Sequence, residues 1–291
     1  MRPLATMGVL ALVLVLGMSA LGFQSADVED TPPPAEPLNT PEVPTDGGTR
    51  AGIHTAYYNQ SFNIGSGWDW SQLTAVAWVQ TGNYKQQSNP SYRSAEVLNA
   101  HAEEFDGGVT STGQSRTVLA ELATGTWCGY CPGADGAFHR LREDAAWYPD
   151  KVVLIEWHSS DVYANNDHAS RIGGTGYATG GFPTAYFDGV DASVGGASDP
   201  NTTSIDTTYR NKINARSPKA TPIQIDTFGS ISASGGWVNA TVTAHSEPTI
   251  GNLFLHGHRG DRAVLHPREQ RSAPQQHRAQ HHFEVRFHHT Q

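Results

Sequence analysis

The 291-residue sequence has only two cysteines, Cys128 and Cys131, three positions apart. With no second pair, a four-cysteine zinc site is excluded. Charge is scarce as well. Charged residues make up 16% of the chain, and 19 basic against 28 acidic side chains leave a formal net charge of −9. No basic stripe is present, which argues against a nucleic-acid partner. The apolar run Val9 to Gly17 has the length of a signal-peptide core and is short for a membrane span. Arg2 precedes it and Ala20-Leu21-Gly22 offers small residues for cleavage, so residues 1–22 read as an export signal. The expected location is extracytoplasmic (secreted, periplasmic or cell-surface), with membrane contact only if the segment stays uncleaved. No cysteine lies near that site, which excludes a thioether-lipidated N-terminus.

What the sequence does have is Gly, Ser, Thr and Asn, a mix that favours β-rich exported proteins over helical bundles. Residues 23–49 are acidic and proline-rich and read as an extended linker with nothing to bury. Residues 50–110 carry strand-like patterning, including the apolar run Leu73 to Val79, and a polar loop from Gly82 to Arg93. The next stretch alternates in type. Strands are predicted over Thr117–Ala123, Val152–Trp157 and Thr184–Phe187, and helices over Pro132–Trp147 and Thr203–Ala215. This order implies an α/β core over 111–218. After Pro222, alternation over Ile223–Phe228 and Gly236–Ala244 predicts a further β-sandwich-like domain across 219–291.

The two cysteines bear the chemistry, in Trp127-Cys128-Gly129-Tyr130-Cys131 immediately before a predicted helix. At a helix N-terminus, unsatisfied N–H groups and the helix dipole stabilise a thiolate, which is the attacking species in disulfide exchange. That makes Cys128 the candidate nucleophile and Cys131 the resolving thiol. Pro132 suits a first helical turn. Two bland readings compete. His139 and His158 could complete a Cys2His2 zinc set. A purely structural disulfide is ordinary in an exported protein, although so short a loop constrains the unfolded chain little. Asp161, Asp167 and His168 read as a solvated loop or a weak cation site. Asn59, Asn201 and Asn239 head glycosylation-type triplets.

The motif after a strand, followed about fifty residues later by Gly181-Phe182-Pro183-Thr184 before another strand, resembles the thioredoxin superfamily. The resemblance covers roughly residues 112–217. It implies a thioredoxin-like α/β fold flanked by β-sandwich segments (α+β overall), with Pro183 in the cis form against the cysteine pair. It also implies that Trp127, Phe182, Pro183 and Thr184 face the substrate. Glu121 is the nearest match to the buried acid that the superfamily places on the preceding strand, where it would act as general base for the resolving thiol. It sits one residue further from the first cysteine than usual, so a bulge or a shifted register is required. The segment Glu121 to Pro132 further resembles the Omp28-related exported proteins, which join a thioredoxin-like domain to a β-sandwich.

The expected function is therefore an exported thiol–disulfide oxidoreductase needing no cofactor or metal. Its partners would be protein substrates with cysteines or disulfides, and a redox partner protein. The alternative is a surface or binding protein that keeps the fold with a non-catalytic disulfide. One segment fits neither picture. From His256 to Gln291 there are eight of the fourteen histidines, six arginines and no lysine. So abrupt a change of composition reads as an aberrant tail from a reading-frame error, with a His-rich metal-binding tail as the competing reading.

Overall fold

The computed structural model describes residues 12–14, 54–64, 70–82, 84–88, 90–105, 107–164, 166–246, 253–261 and 283–286; for 12–14, 253–261 and 283–286 it describes the backbone alone. Nearly all of the export signal, the whole of the linker and most of the His/Arg-rich tail lie outside the described residues. The chain is a sheet-rich α+β protein with three α-helices among the described residues. No helix among them is long and apolar enough to cross a membrane.

In chain order the elements are β1 His54–Asn63, β2 Ala75–Thr81, β3 Lys85–Ser88, β4 Ser91–Ser94, β5 Val97–Glu103, β6 Thr110–Ser111 and β7 Val118–Thr124. Then come α1 Cys131–Arg142, β8 Val152–His158, α2 Asn166–Arg171, β9 Thr184–Phe187 and β10 Asp191–Val194. The series ends with α3 Thr203–Arg216, β11 Ile223–Ile231, β12 Gly235–Ala244, β13 Leu253–Asp261 and β14 Phe283–Arg286; β14 and a short strand at Leu12–Leu14 both pair with β13.

Three sheets and a helical layer stack on one another. The central sheet has the order β10-β9-β7-β8, with β7 and β8 parallel and the other pairs antiparallel. On one face, Val118, Ala120 and Leu122 of β7 meet Ala134, Ala137, Phe138 and Leu141 of α1 and Tyr209 and Ile213 of α3. On the other, Leu119, Ala123, Val153, Ile155 and Trp157 meet Val76, Trp78, Ala100 and Ala102 of a second sheet, β13-β2-β5. That second sheet is covered behind by a third, β1-β12-β11-β6, through Val79 and Leu98 against Ile223, Ile225 and Val242. Strand β2 is thus buried on both faces, which is why it reads as a continuous apolar run rather than an alternation.

The strand-rich segments on either side of the α/β core share their sheets. β1 pairs with β12 along its whole length, and β13 pairs with β2. The backbone of β13 continues past His256, with His258 opposite Val76, so the strand crosses the change in composition. The predicted polar loop from Gly82 to Arg93 contains the hairpin β3-β4. Helix α1 stops at Arg142 rather than Trp147. Asp144 accepts a hydrogen bond from the Ala146 N–H, an Asx-type turn that offers the backbone an alternative to the helix.

Two buried polar networks tie the layers together. Asp188, fully buried, accepts from Arg116 and Arg216 and from the Leu119 N–H. Asn99 of β5 donates to Thr112, to the Ser115 carbonyl and to the Ile223 carbonyl, and so stitches the second sheet to the third.

Candidate functional site

Strand β7 ends at Thr124, and a turn carries the chain to α1. The Cys128 N–H donates to the Gly125 carbonyl, and the Cys131 N–H to the Cys128 carbonyl. Cys128 and Cys131 form a disulfide with their Cα atoms 5.4 Å apart. Cys128 is 8% exposed and Cys131 is 1% exposed, so what little access exists falls on the first sulfur. No acid lies in the first turn of α1, and Tyr130 at the cap position supplies no side-chain acceptor. The Gly133 N–H is taken by the Ala197 carbonyl and Pro132 has none, so what favours a thiolate on Cys128 is the dipole of α1, which no acid in the first turn offsets.

Phe182–Pro183 is a cis peptide bond. The Pro183 loop reaches the cysteine turn at Gly196, where an added Cβ would lie 2.2 Å from the Tyr130 carbonyl oxygen and 2.7 Å from Pro183 Cγ. Only glycine permits that approach. The Trp127 ring lies edge-on to Phe182 with centroids 5.3 Å apart, and its Nε1 donates to the Ser159 carbonyl at 2.6 Å. Trp127 and Tyr130 are more than half exposed and rim the pair. The Phe182 backbone makes no hydrogen bond among the described residues, which leaves its N–H and C=O open. Thr184 is different. It is buried and donates to the Gly181 carbonyl, shaping the turn rather than facing outward.

Cys128, Cys131, Trp127, Phe182 and Pro183 thus come together, and Glu121 does not join them. Strand β7 pairs residue by residue with β8 and β9 with no bulge. Alternation then turns Leu122 toward α1 and Glu121 to the opposite face. There its carboxylate is fully occupied. It accepts from Arg171 Nε at 2.5 Å and Nη2 at 2.6 Å, from the Tyr177 hydroxyl at 2.5 Å and from Trp157 Nε1 at 3.0 Å. Arg171 reaches on to Gln80 of β2, so this ion pair joins the α/β core to the second sheet. Burial works against the Arg171 charge, but Glu121 more than compensates, and the guanidinium is held above its ordinary value.

The face toward α1 carries a second set of ionisable groups. Asp135 of α1 accepts from the Thr124 hydroxyl at 2.8 Å. Burial, reinforced by the neighbouring carboxylate of Glu156, raises its carboxyl to about 7. His158 Nδ1 bonds Asp161 at 2.8 Å, and its Nε2 lies 3.9 Å from Glu156. Burial alone would lower His158, but the two carboxylates outweigh it and raise the imidazole to about 9. Asp161 also accepts from the Thr126 and Tyr163 N–H groups, which fixes it to the protein rather than leaving it in a solvated loop. Among the described residues no group of three or more His, Cys, Asp or Glu is arranged to hold a metal ion. The side chain of Asp167 lies outside the described residues. Sequence reasoning missed Asp135. Its only signal was a place four residues beyond Cys131, one turn along the same helix.

Comparisons with protein-family models, with curated proteins and with solved structures give no match to this chain.

Proposed function

We infer that the protein is an exported thiol–disulfide oxidoreductase that exchanges disulfides with protein substrates, Cys128 attacking and Cys131 resolving. One observation carries this reading. The disulfide stands at the N-terminus of α1, where no acid offsets the helix dipole, beside a cis proline whose preceding residue makes no backbone hydrogen bond among the described residues, and two exposed aromatic rings rim it. The order β7-α1-β8, then β9-β10-α3, with Pro183 just before β9, supports a thioredoxin-like assignment for residues 111–218. Export rests on Arg2 and the apolar run Val9 to Gly17. In this reading the edge of Phe182 pairs with substrate backbone while Trp127 and Tyr130 cover it.

The test is insulin reduction and refolding of a scrambled substrate by wild type and Cys128→Ser. Wild type is expected to be active and the variant to fall to background, while Cys131→Ser accumulates a mixed disulfide with substrate. In the reduced protein at mildly acidic pH, iodoacetamide should label Cys128 before Cys131. A second reading has one observation in its favour, the low exposure of both cysteines. If the disulfide is structural, wild type is inert in both assays and the pair resists dithiothreitol.

A further inference from the structure

Resolution of a mixed disulfide requires Cys131 to lose its proton inside the protein, since its residue is 1% exposed. The superfamily resemblance assigns that task to Glu121, which the unbroken register of β7 turns away and which Arg171 and Tyr177 saturate. An acceptor has to stand on the α1 face of the sheet. Asp135 does so, one helical turn beyond Cys131, where side chains four apart are neighbours.

We propose that Asp135, anchored by Thr124 and flanked by Glu156 and His158, takes the proton of Cys131 as that thiol becomes the resolving nucleophile. The inference rests on the oxidoreductase reading given above. The groups that face Asp135 fit the role. Thr124 of β7 donates to it and holds its carboxyl toward the sheet. From β8, Glu156 opposes its ionisation and His158 favours it, and Asp161 beyond β8 opposes it. From α3, Tyr209 presents a buried hydroxyl that has no hydrogen-bond partner among the described residues. No arginine or lysine is among these groups, so no such cation pairs with Asp135 as Arg171 pairs with Glu121.

The Cys128 thiolate attacks one sulfur of a substrate disulfide, forming a mixed disulfide and expelling one substrate thiolate. Cys131 passes its proton to the Asp135 carboxylate, and its thiolate attacks Cys128 Sγ. The Cys128–Cys131 bond forms, the mixed disulfide breaks and the second substrate thiolate leaves. Two electrons have passed from the cysteine pair to the substrate. Asp135 returns its proton to the departing thiolate or to water, and the first thiolate takes its proton from solvent.

Ellman's reagent separates the two events in the reduced full-length protein, because attack and resolution each release one equivalent of thionitrobenzoate. In wild type the second release should follow a titration near pH 7. In Asp135→Asn that pH dependence should vanish and the second release slow by tenfold or more, while the first stays within about twofold. An unchanged second release in the variant overturns the proposal and leaves the oxidoreductase reading intact. A wild type that releases neither equivalent overturns both. If the variant does not fold, the Asp135 carboxyl is followed by carbon NMR in oxidised and reduced wild type. Its midpoint should move with the state of Cys131, and identical midpoints reject the assignment.

Discussion

Glu121 and Asp135 lie on opposite faces of one sheet and have been given opposite surroundings. Glu121 is wholly buried, yet four donors surround it, two of them from one guanidinium. Asp135 has one hydroxyl donor and a second carboxylate for company. A buried acid that is fully paired is a fastener, because its charge cannot change without breaking the pairing. An acid left short of partners keeps its carboxyl near neutrality, where it can gain or lose a proton cheaply. Glu121 is the more deeply buried of the two, so the contrast lies in the partners rather than in depth.

The comparison breaks most violently at the fastener. Arg171→Met removes the cation and leaves Glu121 as an uncompensated buried charge, which should cost about 3–5 kcal/mol. Adding Glu121→Gln to that variant should recover a large part of the loss, because the charge goes and the remaining donors still have an amide oxygen. Urea unfolding of the two variants measures both effects. A loss below 1 kcal/mol in the single variant would mean that water reaches Glu121, and the contrast with Asp135 would collapse.

A smaller effect of opposite sign is expected across the sheet. The folded-state carboxyl of Asp135 lies at about 7, above the value of about 4 for an unfolded aspartate. A raised acid costs stability where the unfolded chain is ionised and the folded one resists ionisation. The cost is absent below pH 4, grows as pH rises and is complete above pH 7. Asp135→Asn keeps the size of the side chain and removes the charge. It should stabilise the protein by about 2 kcal/mol at pH 8, roughly half the full linkage value because the site is only partly buried. The gain should fade toward pH 4. Equal stability of variant and wild type at pH 8 would show that Asp135 ionises freely.

How far the sequence foretold these sites depends on the distance over which each feature is encoded. The strand Thr184–Phe187 and the helix α3 follow from local pattern and are where they were expected, while α1 begins as expected and ends five residues early. The two-sided burial of β2 was written in its unbroken apolar run. The pairing of β1 with β12 was not, since Asn59 meets Asn239 across 180 residues and each strand alone would accept many partners. The face that Glu121 occupies turned on a single residue. In a strand, one position decides the face, and only the pairing with β8 and β9 shows that no bulge intervenes. Asp135 stayed hidden because an aspartate on a short helix normally faces water. Nothing in the sequence alone showed that Thr124 and Glu156 would stand opposite it.

The mildest prediction concerns the cation on the Asp135 side. His158 is raised from about 6.5 to about 9 despite its burial, so its protonated form is favoured by folding. For a base with a raised folded value, the contribution is fully present below the unfolded value, near pH 6.5, and is lost as pH climbs through 9. His158→Gln should therefore cost about 1 kcal/mol at pH 6, less than the linkage value because Asp161 keeps its backbone donors from Thr126 and Tyr163. By pH 10 the two proteins should differ little. The variant also sharpens the distinction between the two faces. Without the imidazolium, Glu156 and Asp161 repel the Asp135 carboxylate unopposed, so the pH near 7 at which the second thionitrobenzoate is released should rise. The Glu121–Arg171 pair lies across the sheet and should keep its contribution to stability. A release midpoint that stays put in His158→Gln would show that the imidazolium does not reach Asp135, and would leave burial and the neighbouring carboxylates to set its charge.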